Sequence, residues 1–98
     1  MLFTWDQRKS EQNRLLRGFD FFLAARIFDG FVVRRPDDRR DYGELRIVAL
    51  GRVGDRSLTV VYTDRRAPSG ELECRIISAR QSNIEERLTY AQAIAQEA

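Results

Sequence analysis

Three segments of the chain alternate apolar and polar residues with a period of two, and this pattern constrains the fold more than any other feature. The segments run from Glu44 to Leu50, from Ser57 to Thr63 and from Leu72 to Ser78. Such alternation is typical of strands that bury one face, because successive side chains point to opposite sides. The sequence therefore predicts an antiparallel meander of three strands. The predicted core face consists of Leu45, Ile47, Ala49, Leu58, Val60, Tyr62, Leu72, Cys74 and Ile76.

A polar helix is predicted ahead of this sheet, from Asp6 to Arg17. Asp6 stands where an N-cap residue would satisfy the first backbone N–H groups, and Gly18 suits the left-handed conformation that commonly follows a helix. The interior of the segment is mostly polar. We expect Trp5, Leu15 and Leu16 to be its apolar anchors.

Short elements complete the N-terminal part. Leu2, Phe3 and Trp5 suggest a first strand, and a second helix is predicted from Asp20 to Asp29. That helix would bury a stripe at the three-and-four spacing of one helical face, formed by Phe21, Ala24, Ala25 and Phe28. A strand beginning at Phe31 would be short or lie at an edge, because the proline at position 36 cannot donate a backbone hydrogen bond.

The C-terminal segment is predicted to be an amphipathic helix. Ser82 and Glu85 have the spacing of a capping box, and an apolar stripe follows at Ile84, Leu88, Ala91 and Ala95. With 98 residues and 43% hydrophobic content, the chain is expected to form a single domain over residues 1–98. The predicted class is α+β, with N-terminal helices on one face of the sheet.

Several classes of chemistry are disfavoured by the composition. Cys74 is the only cysteine, which excludes an intramolecular disulfide and fits a reducing cytoplasm, and its place in the alternation predicts a buried thiol. Histidine is absent, so a zinc site or a histidine-based triad is not expected. We expect no cofactor, no signal peptide and no membrane-spanning helix, and hence a cytoplasmic protein.

The other side of the predicted strands is polar and ionisable. It carries Glu44, Arg46, Thr59, Thr63, Glu71, Glu73 and Arg75. Nearly all positive charge in the chain is arginine, with Lys9 the only lysine, and a guanidinium grips phosphate in two-pronged fashion. A solvated sheet face and the codon bias of a GC-rich genome explain the same observations without a function.

The functional interpretation is metal-free cleavage of RNA, in which the ribose 2′-OH attacks the adjacent phosphate. This reaction needs a base, an acid and cations that stabilise the charge on phosphorus. Glu44 is a candidate base, and Tyr90 or Lys9 a candidate acid, since phenol and ammonium groups hold a proton at neutral pH. Tyr90 is equally well explained as a half-buried packing residue. The candidate cations are Arg46, Arg75 and Arg80.

Taken in order, several short motifs resemble the BrnT toxins of bacterial toxin–antitoxin systems. Over about nine-tenths of the chain these are Phe3-Thr4-Trp5-Asp6 with Lys9 and Asn13, the helix from Phe21 to Asp29, Tyr42-Gly43-Glu44-Leu45-Arg46, Val60-Val61-Tyr62-Thr63, Arg75-Ile76-Ile77-Ser78-Ala79-Arg80, and Glu86-Arg87 with Tyr90. The resemblance implies a RelE-like fold and a ribonuclease that arrests translation. It also implies neutralisation by a BrnA-like antitoxin with a ribbon-helix-helix part. The complex would bind operator DNA only through this antitoxin.

By this resemblance the catalytic candidates are Glu44, Arg46, Arg75, Arg80 and Tyr90, and the RNA-binding candidates are Lys9 and Arg65. The chain departs from the family in three places, one of which is a connection from Asp64 to Glu73 that is longer than usual. Arg17 stands where members usually have histidine, and Gln81-Ser82 replaces a usual Lys-Ala pair. A non-catalytic RNA- or protein-binding module that keeps the antitoxin interface is therefore the alternative.

Overall fold

The computed structural model describes residues 1–97 and has the predicted α+β architecture. Its strands are β1 (Leu2–Trp5), β2 (Val33–Pro36), β3 (Ile47–Val53), β4 (Arg56–Arg66) and β5 (Leu72–Gln81). Its helices are α1 (Gln7–Arg17), α2 (Phe21–Ala24), a 3₁₀ helix (Ala25–Asp29) and α3 (Ile84–Glu97). Within residues 1–97, no helix is long and apolar enough to cross a bilayer.

The five strands form one mixed sheet in the order β1-β5-β4-β3-β2. From β2 to β5, each strand pairs antiparallel with the next along the chain, and β2 is an edge strand as Pro36 predicts. The predicted antiparallel meander corresponds to β3, β4 and β5, whereas β1 pairs parallel with β5, a pairing that the sequence did not predict. Alternation within a strand does not encode its neighbour's direction, which depends on how the chain returns to the sheet.

The main core lies between one sheet face and the segment that contains α2 and the 3₁₀ helix. Seven of the nine predicted core-face residues belong to it or pack against it: Ile47, Ala49, Leu58, Val60, Tyr62, Cys74 and Ile76. Two assignments were wrong. Leu45 is 70% exposed, because β3 begins only at Ile47, and Leu72 is exposed as the first residue of β5.

α3 packs on the opposite sheet face through residues that the predicted stripe does not contain. Tyr90 forms a second apolar cluster with Val48, Leu50 and Val61, and Glu86 is also buried. The predicted stripe is exposed, with Ile84 and Leu88 both more than half accessible. This prediction was wrong because the face of α3 that carries Glu86 and Tyr90 is the one that packs on the sheet.

Two buried polar side chains fasten α1, in place of the predicted leucine anchors. The Ser10 hydroxyl accepts a hydrogen bond from the backbone N–H of Phe21 at 2.9 Å. The Asn13 amide donates to the carbonyl oxygen of Phe19 at 3.0 Å. Leu16 is 84% exposed, and Leu15 is exposed as well. These hydrogen bonds connect the helix to Phe19, before α2, and to Phe21, at its start, and a search for apolar residues does not detect them.

The helix ends follow their capping chemistry, with one shift. Asp6 accepts from the N–H groups of Arg8 and Lys9, and Gly18 ends α1 at a φ of 85°. At α3 the capping box lies one residue later than predicted. Asn83 and Glu86 exchange reciprocal side-chain to backbone hydrogen bonds at 2.8 and 2.9 Å.

Candidate active site

A β-bulge in β5 determines which side chains of this strand share a face. Val61 pairs with Ser78 but its neighbour Tyr62 pairs with Ile76, so Ile77 is an extra residue on β5. As a result two arginines project from the same face of β5. Arg75 lies opposite Thr63, and Arg80 lies opposite Thr59. Their shared face is the one opposite the main core. Without the extra residue, alternation would direct the two arginines to opposite sides.

A cleft of about 240 Å³, here called the β4–β5 cleft, opens on that face. It is lined by Asp6, Lys9, Glu44, Arg46, Thr63, Arg65, Arg75, Ile76 and Ile77. The start of α1, the segment before β3, and strands β4 and β5 all contribute. Five of the seven site residues predicted from the sequence therefore meet here: Lys9, Glu44, Arg46, Arg65 and Arg75.

Arg75 is the arginine of this cleft whose guanidinium has no partner among the described residues. It is partly buried on β5, and within residues 1–97 its guanidinium forms no hydrogen bond or ion pair. Arg65, by contrast, is bound to the carboxylate of Glu73. That contact lowers the pKa of Glu73, against the opposing effect of burial. Arg75 thus keeps its N–H donors for an anion, whereas Arg65 is held in place by a neighbour.

The segment before β3 brings a carboxylate and a guanidinium to the mouth of the cleft. Arg46 Nε donates to Glu44 Oε2 at 3.2 Å, and the Arg46 guanidinium carbon lies 4.0 Å from the ring centre of Tyr42. The Thr63 hydroxyl donates to the carbonyl oxygen of Leu45 at 2.7 Å. This hydrogen bond ties the segment to β4, so Glu44 and Arg46 reach the cleft from a loop and not from the predicted strand.

Arg80 lies in a neighbouring cleft of about 590 Å³, here called the arginine cleft. Four arginines line it, namely Arg17, Arg35, Arg39 and Arg80. The guanidinium of Arg80 donates to both carboxylate oxygens of Glu86, at 2.7 and 2.8 Å. That contact holds the pKa of Glu86 down, to about 2. The two clefts adjoin, since Ile77 lines one and Ser78 lines the other.

Tyr90 does not reach either cleft. It is buried against Phe31, and its hydroxyl donates to the carbonyl oxygen of Phe31 at 2.8 Å. This placement is that of the packing residue, the second of the two interpretations given for Tyr90. Lys9, which lines the β4–β5 cleft, is the remaining candidate acid.

Arg17, which replaces the usual family histidine, has a structural contact. Its Nη1 donates to the carbonyl oxygen of Ala79 at 2.6 Å, and so connects α1 to β5 beside the arginine cleft. Cys74 is buried as predicted, and burial raises the pKa of its thiol to about 12. Buried thiols of this kind are usually structural and unreactive.

Four residues of the cleft region were missed by reasoning from the sequence. Asp6 was assigned only as a helix cap, Thr63 and Glu73 only as polar sheet residues, and Tyr42 only as part of a motif. Cross-strand register would have indicated two of them, because Thr63 lies opposite Arg75, and Glu73 lies opposite Arg65. That register depends on the bulge, which the sequence does not reveal.

Comparison with known proteins assigns the chain to a family. The family model described as the ribonuclease toxin, BrnT, of type II toxin–antitoxin systems matches residues 5–86, which include both clefts. A search of curated proteins found no matching relative. The match identifies the class of this protein as the toxin component of a type II system, which is paired with a protein antitoxin. Within that class, the chain belongs to the BrnT family of ribonuclease toxins.

Proposed function

We propose that this chain is a metal-independent endoribonuclease whose reaction takes place in the β4–β5 cleft, and that it arrests translation in the bacterial cytoplasm. The observation that carries the proposal is the convergence of Lys9, Glu44, Arg46 and Arg75 on one cleft from separate elements. These residues supply a carboxylate, an ammonium and two guanidinium groups. The family provides the reaction class, and the cleft provides groups suited to each step.

In the proposed reaction the Glu44 carboxylate accepts the proton of a ribose 2′-OH. The 2′-oxygen then attacks the adjacent phosphorus, and the bond from phosphorus to the 5′-oxygen breaks. Lys9 gives a proton to the leaving 5′-oxygen, so the products are a 2′,3′-cyclic phosphate and a 5′-hydroxyl. Each proton transfer of this kind contributes about 10²- to 10⁴-fold to the rate.

Charge stabilisation is assigned to Arg75 and Arg46. The unpaired guanidinium of Arg75 can donate two parallel hydrogen bonds to the phosphate as negative charge develops. Arg46 is stacked on Tyr42 and bound to Glu44, which limits its motion and keeps acid–base and phosphate-binding groups together. Arg80 and Arg65 are assigned to binding the RNA on either side of the phosphate that is attacked.

Metal independence is supported by how the carboxylates around the cleft are already used. Asp6 accepts hydrogen bonds from the first turn of α1, Glu44 accepts from Arg46, and Glu73 accepts from Arg65. A divalent ion would have to displace these donors. Guanidinium groups already occupy the role that the ion would have in stabilising the charge on phosphorus.

The proposed partner is a BrnA-like antitoxin with a ribbon-helix-helix part, and the complex would bind operator DNA through that part. A type II system provides the toxin with a protein antitoxin, and the antitoxin's identity follows from the family resemblance. We further propose that the domain, residues 1–98, is RelE-like. The antiparallel pairing of β2 to β5 in chain order supports this assignment.

Induced expression in a bacterial host tests the proposal, with growth and RNA integrity followed in the same cultures. We expect the wild-type chain to arrest growth and degrade RNA, and co-expression of a BrnA-like antitoxin to prevent both. The Arg75→Ala chain should fold but should neither arrest growth nor degrade RNA. Arg26→Ala, at an exposed position on the 3₁₀ helix, should behave as the wild type. Intact RNA and normal growth with the wild-type chain would favour the non-catalytic binding module.

A further inference from the structure

We propose that the arginine cleft is a second phosphate-binding subsite, which holds the backbone of single-stranded RNA beside the β4–β5 cleft. The inference rests on the ribonuclease proposal, because it takes the same RNA as the ligand of both clefts. Binding through phosphate carries no sequence information, so the subsite should position RNA without selecting its bases.

The two clefts are placed so that one strand of RNA can occupy both. Thr63 and Arg75 are register partners in the first cleft, and Val61 and Ser78 are register partners in the second. Because Thr63 and Val61 are two residues apart on β4, the pairs are separated by about 7 Å. This is close to the separation of successive phosphates in an extended strand.

Two buried carboxylates hold the arginines of the second cleft in position. Glu86, only 4% exposed, binds Arg80 through two hydrogen bonds and lies 3.7 Å from Arg35. Asp37 is also buried and accepts two hydrogen bonds from Arg39, at 2.7 and 2.8 Å. The pKa of Asp37 falls to about 2, mainly through the hydrogen bond from Arg39, so this anchor stays charged at neutral pH.

The carboxylates leave much of each guanidinium available to a ligand. The side chains of Arg35, Arg39 and Arg80 remain 56%, 73% and 44% exposed. A guanidinium has five N–H donors, so a two-pronged contact with a carboxylate leaves others free. Positioning of the cations before binding reduces the entropy lost when phosphate arrives.

The balance of charge also favours an anion. Besides the four arginines, the cleft is lined by three acidic residues, Asp37, Asp38 and Glu86, so cations are in excess. Arg80 already binds both carboxylate oxygens of Glu86. An arrangement of ion pairs that served only to hold the fold together would therefore not need Arg35. Arg35 is therefore the residue whose function the packing of the fold does not explain.

The test is the salt dependence of binding to 2′-O-methyl RNA, which cannot be cleaved by 2′-OH attack. Fluorescence anisotropy gives the Kd of a dinucleotide and an octanucleotide for the wild type and for an Arg35→Ala, Arg39→Ala variant. The control is Arg26→Ala, Arg66→Ala, which removes the same charge from exposed positions that line neither cleft. Arg35→Ala alone is also measured, because Glu86 keeps its partner Arg80 in that variant.

We expect the cleft variant to lose affinity for the octanucleotide but not for the dinucleotide. The slope of log Kd against log salt concentration should decrease by about 1.4 for two lost contacts and by about 0.7 for Arg35→Ala alone. The control should keep the wild-type slope.

The inference is overturned if the cleft variant and the control have the same slope. It is also overturned if the cleft variant loses as much affinity for the dinucleotide as for the octanucleotide, or if the wild type does not bind the octanucleotide. These outcomes are independent of activity. A wild-type chain that binds with the expected slope but leaves unmodified RNA intact would overturn the ribonuclease proposal and leave the phosphate subsite standing.

Discussion

Arg75 and Arg80 project from the same face of β5 although they are five positions apart in the chain. The bulge at Ile77 produces this arrangement, and burial agrees with it, since Ile76 and Ala79 both belong to the main core although they are three positions apart. The two arginines consequently line adjoining clefts. A single extra residue thus places both arginines on one side of β5, where they contribute to the same cationic surface.

Replacement of Tyr90 by phenylalanine should affect stability and leave catalysis intact. The change removes the hydrogen bond from the Tyr90 hydroxyl to the carbonyl of Phe31 but keeps the ring in its cluster. We expect a loss of about 1 kcal/mol in the free energy of unfolding, measured by denaturant titration. RNA cleavage by Tyr90→Phe should equal that of the wild type, and a loss of cleavage by the folded variant would restore Tyr90 as the acid.

α1 should depend on its polar anchors and not on its exposed leucines. Ser10→Ala and Asn13→Ala each leave a buried backbone group without its partner, which should cost about 1–3 kcal/mol. Leu16→Ala removes a largely exposed side chain and should change stability by less than about 0.5 kcal/mol. Thermal unfolding of the three variants compares them directly. A larger effect at Leu16 than at Ser10 and Asn13 would contradict this account of α1.

The ion pair of Glu86 should make stability fall in acid. The pKa of this carboxyl drops from 4.5 to about 2 on folding, chiefly through the hydrogen bond from Arg80. Its contribution is therefore complete above pH 4.5 and is lost as the pH falls toward 2. Glu86→Gln does not titrate, so its unfolding free energy should vary less over this range. The control is Glu85→Gln, an exposed neighbour, which should keep the dependence of the wild type.

The close approach of β3 to the 3₁₀ helix should make position 51 intolerant of a side chain. A Cβ added at Gly51 would lie 2.7 Å from the Cβ of Ile27, which is too close for carbon atoms. Gly51→Ala should destabilise the domain by about 1–3 kcal/mol through overpacking. Gly30→Ala is the matched control, since a Cβ there meets no atom within 4 Å. Equal melting temperatures for both variants would contradict the packing described for this interface.

Local chemistry made much of the fold predictable. Asp6 and Gly18 mark the ends of α1, and the alternation through Val60 and Tyr62 identifies the core face of β4. These features depend on neighbours in the chain. The parallel pairing of β1 with β5 depends on distant segments and was not predicted.

The candidate site was predicted in composition but not in arrangement. Residue chemistry and family resemblance selected Glu44 and Arg75, which the structure brings to one cleft. They did not indicate that Arg80 would lie in a separate cleft with Glu86 as its partner. The bulge and the orientation of α3 decide that separation, and both arise from tertiary packing.

The most direct test of the central claim is cleavage of a short RNA by the purified chain in the presence of EDTA. We predict products that end in 2′,3′-cyclic phosphate and 5′-hydroxyl, and a rate about 10²- to 10³-fold lower for Arg75→Ala. The Arg75→Ala chain should melt at the temperature of the wild type, because Arg75 makes no side-chain hydrogen bond within residues 1–97. Failure of the wild-type chain to cleave, or equal rates for the two chains, would contradict the assignment of the β4–β5 cleft as a ribonuclease site.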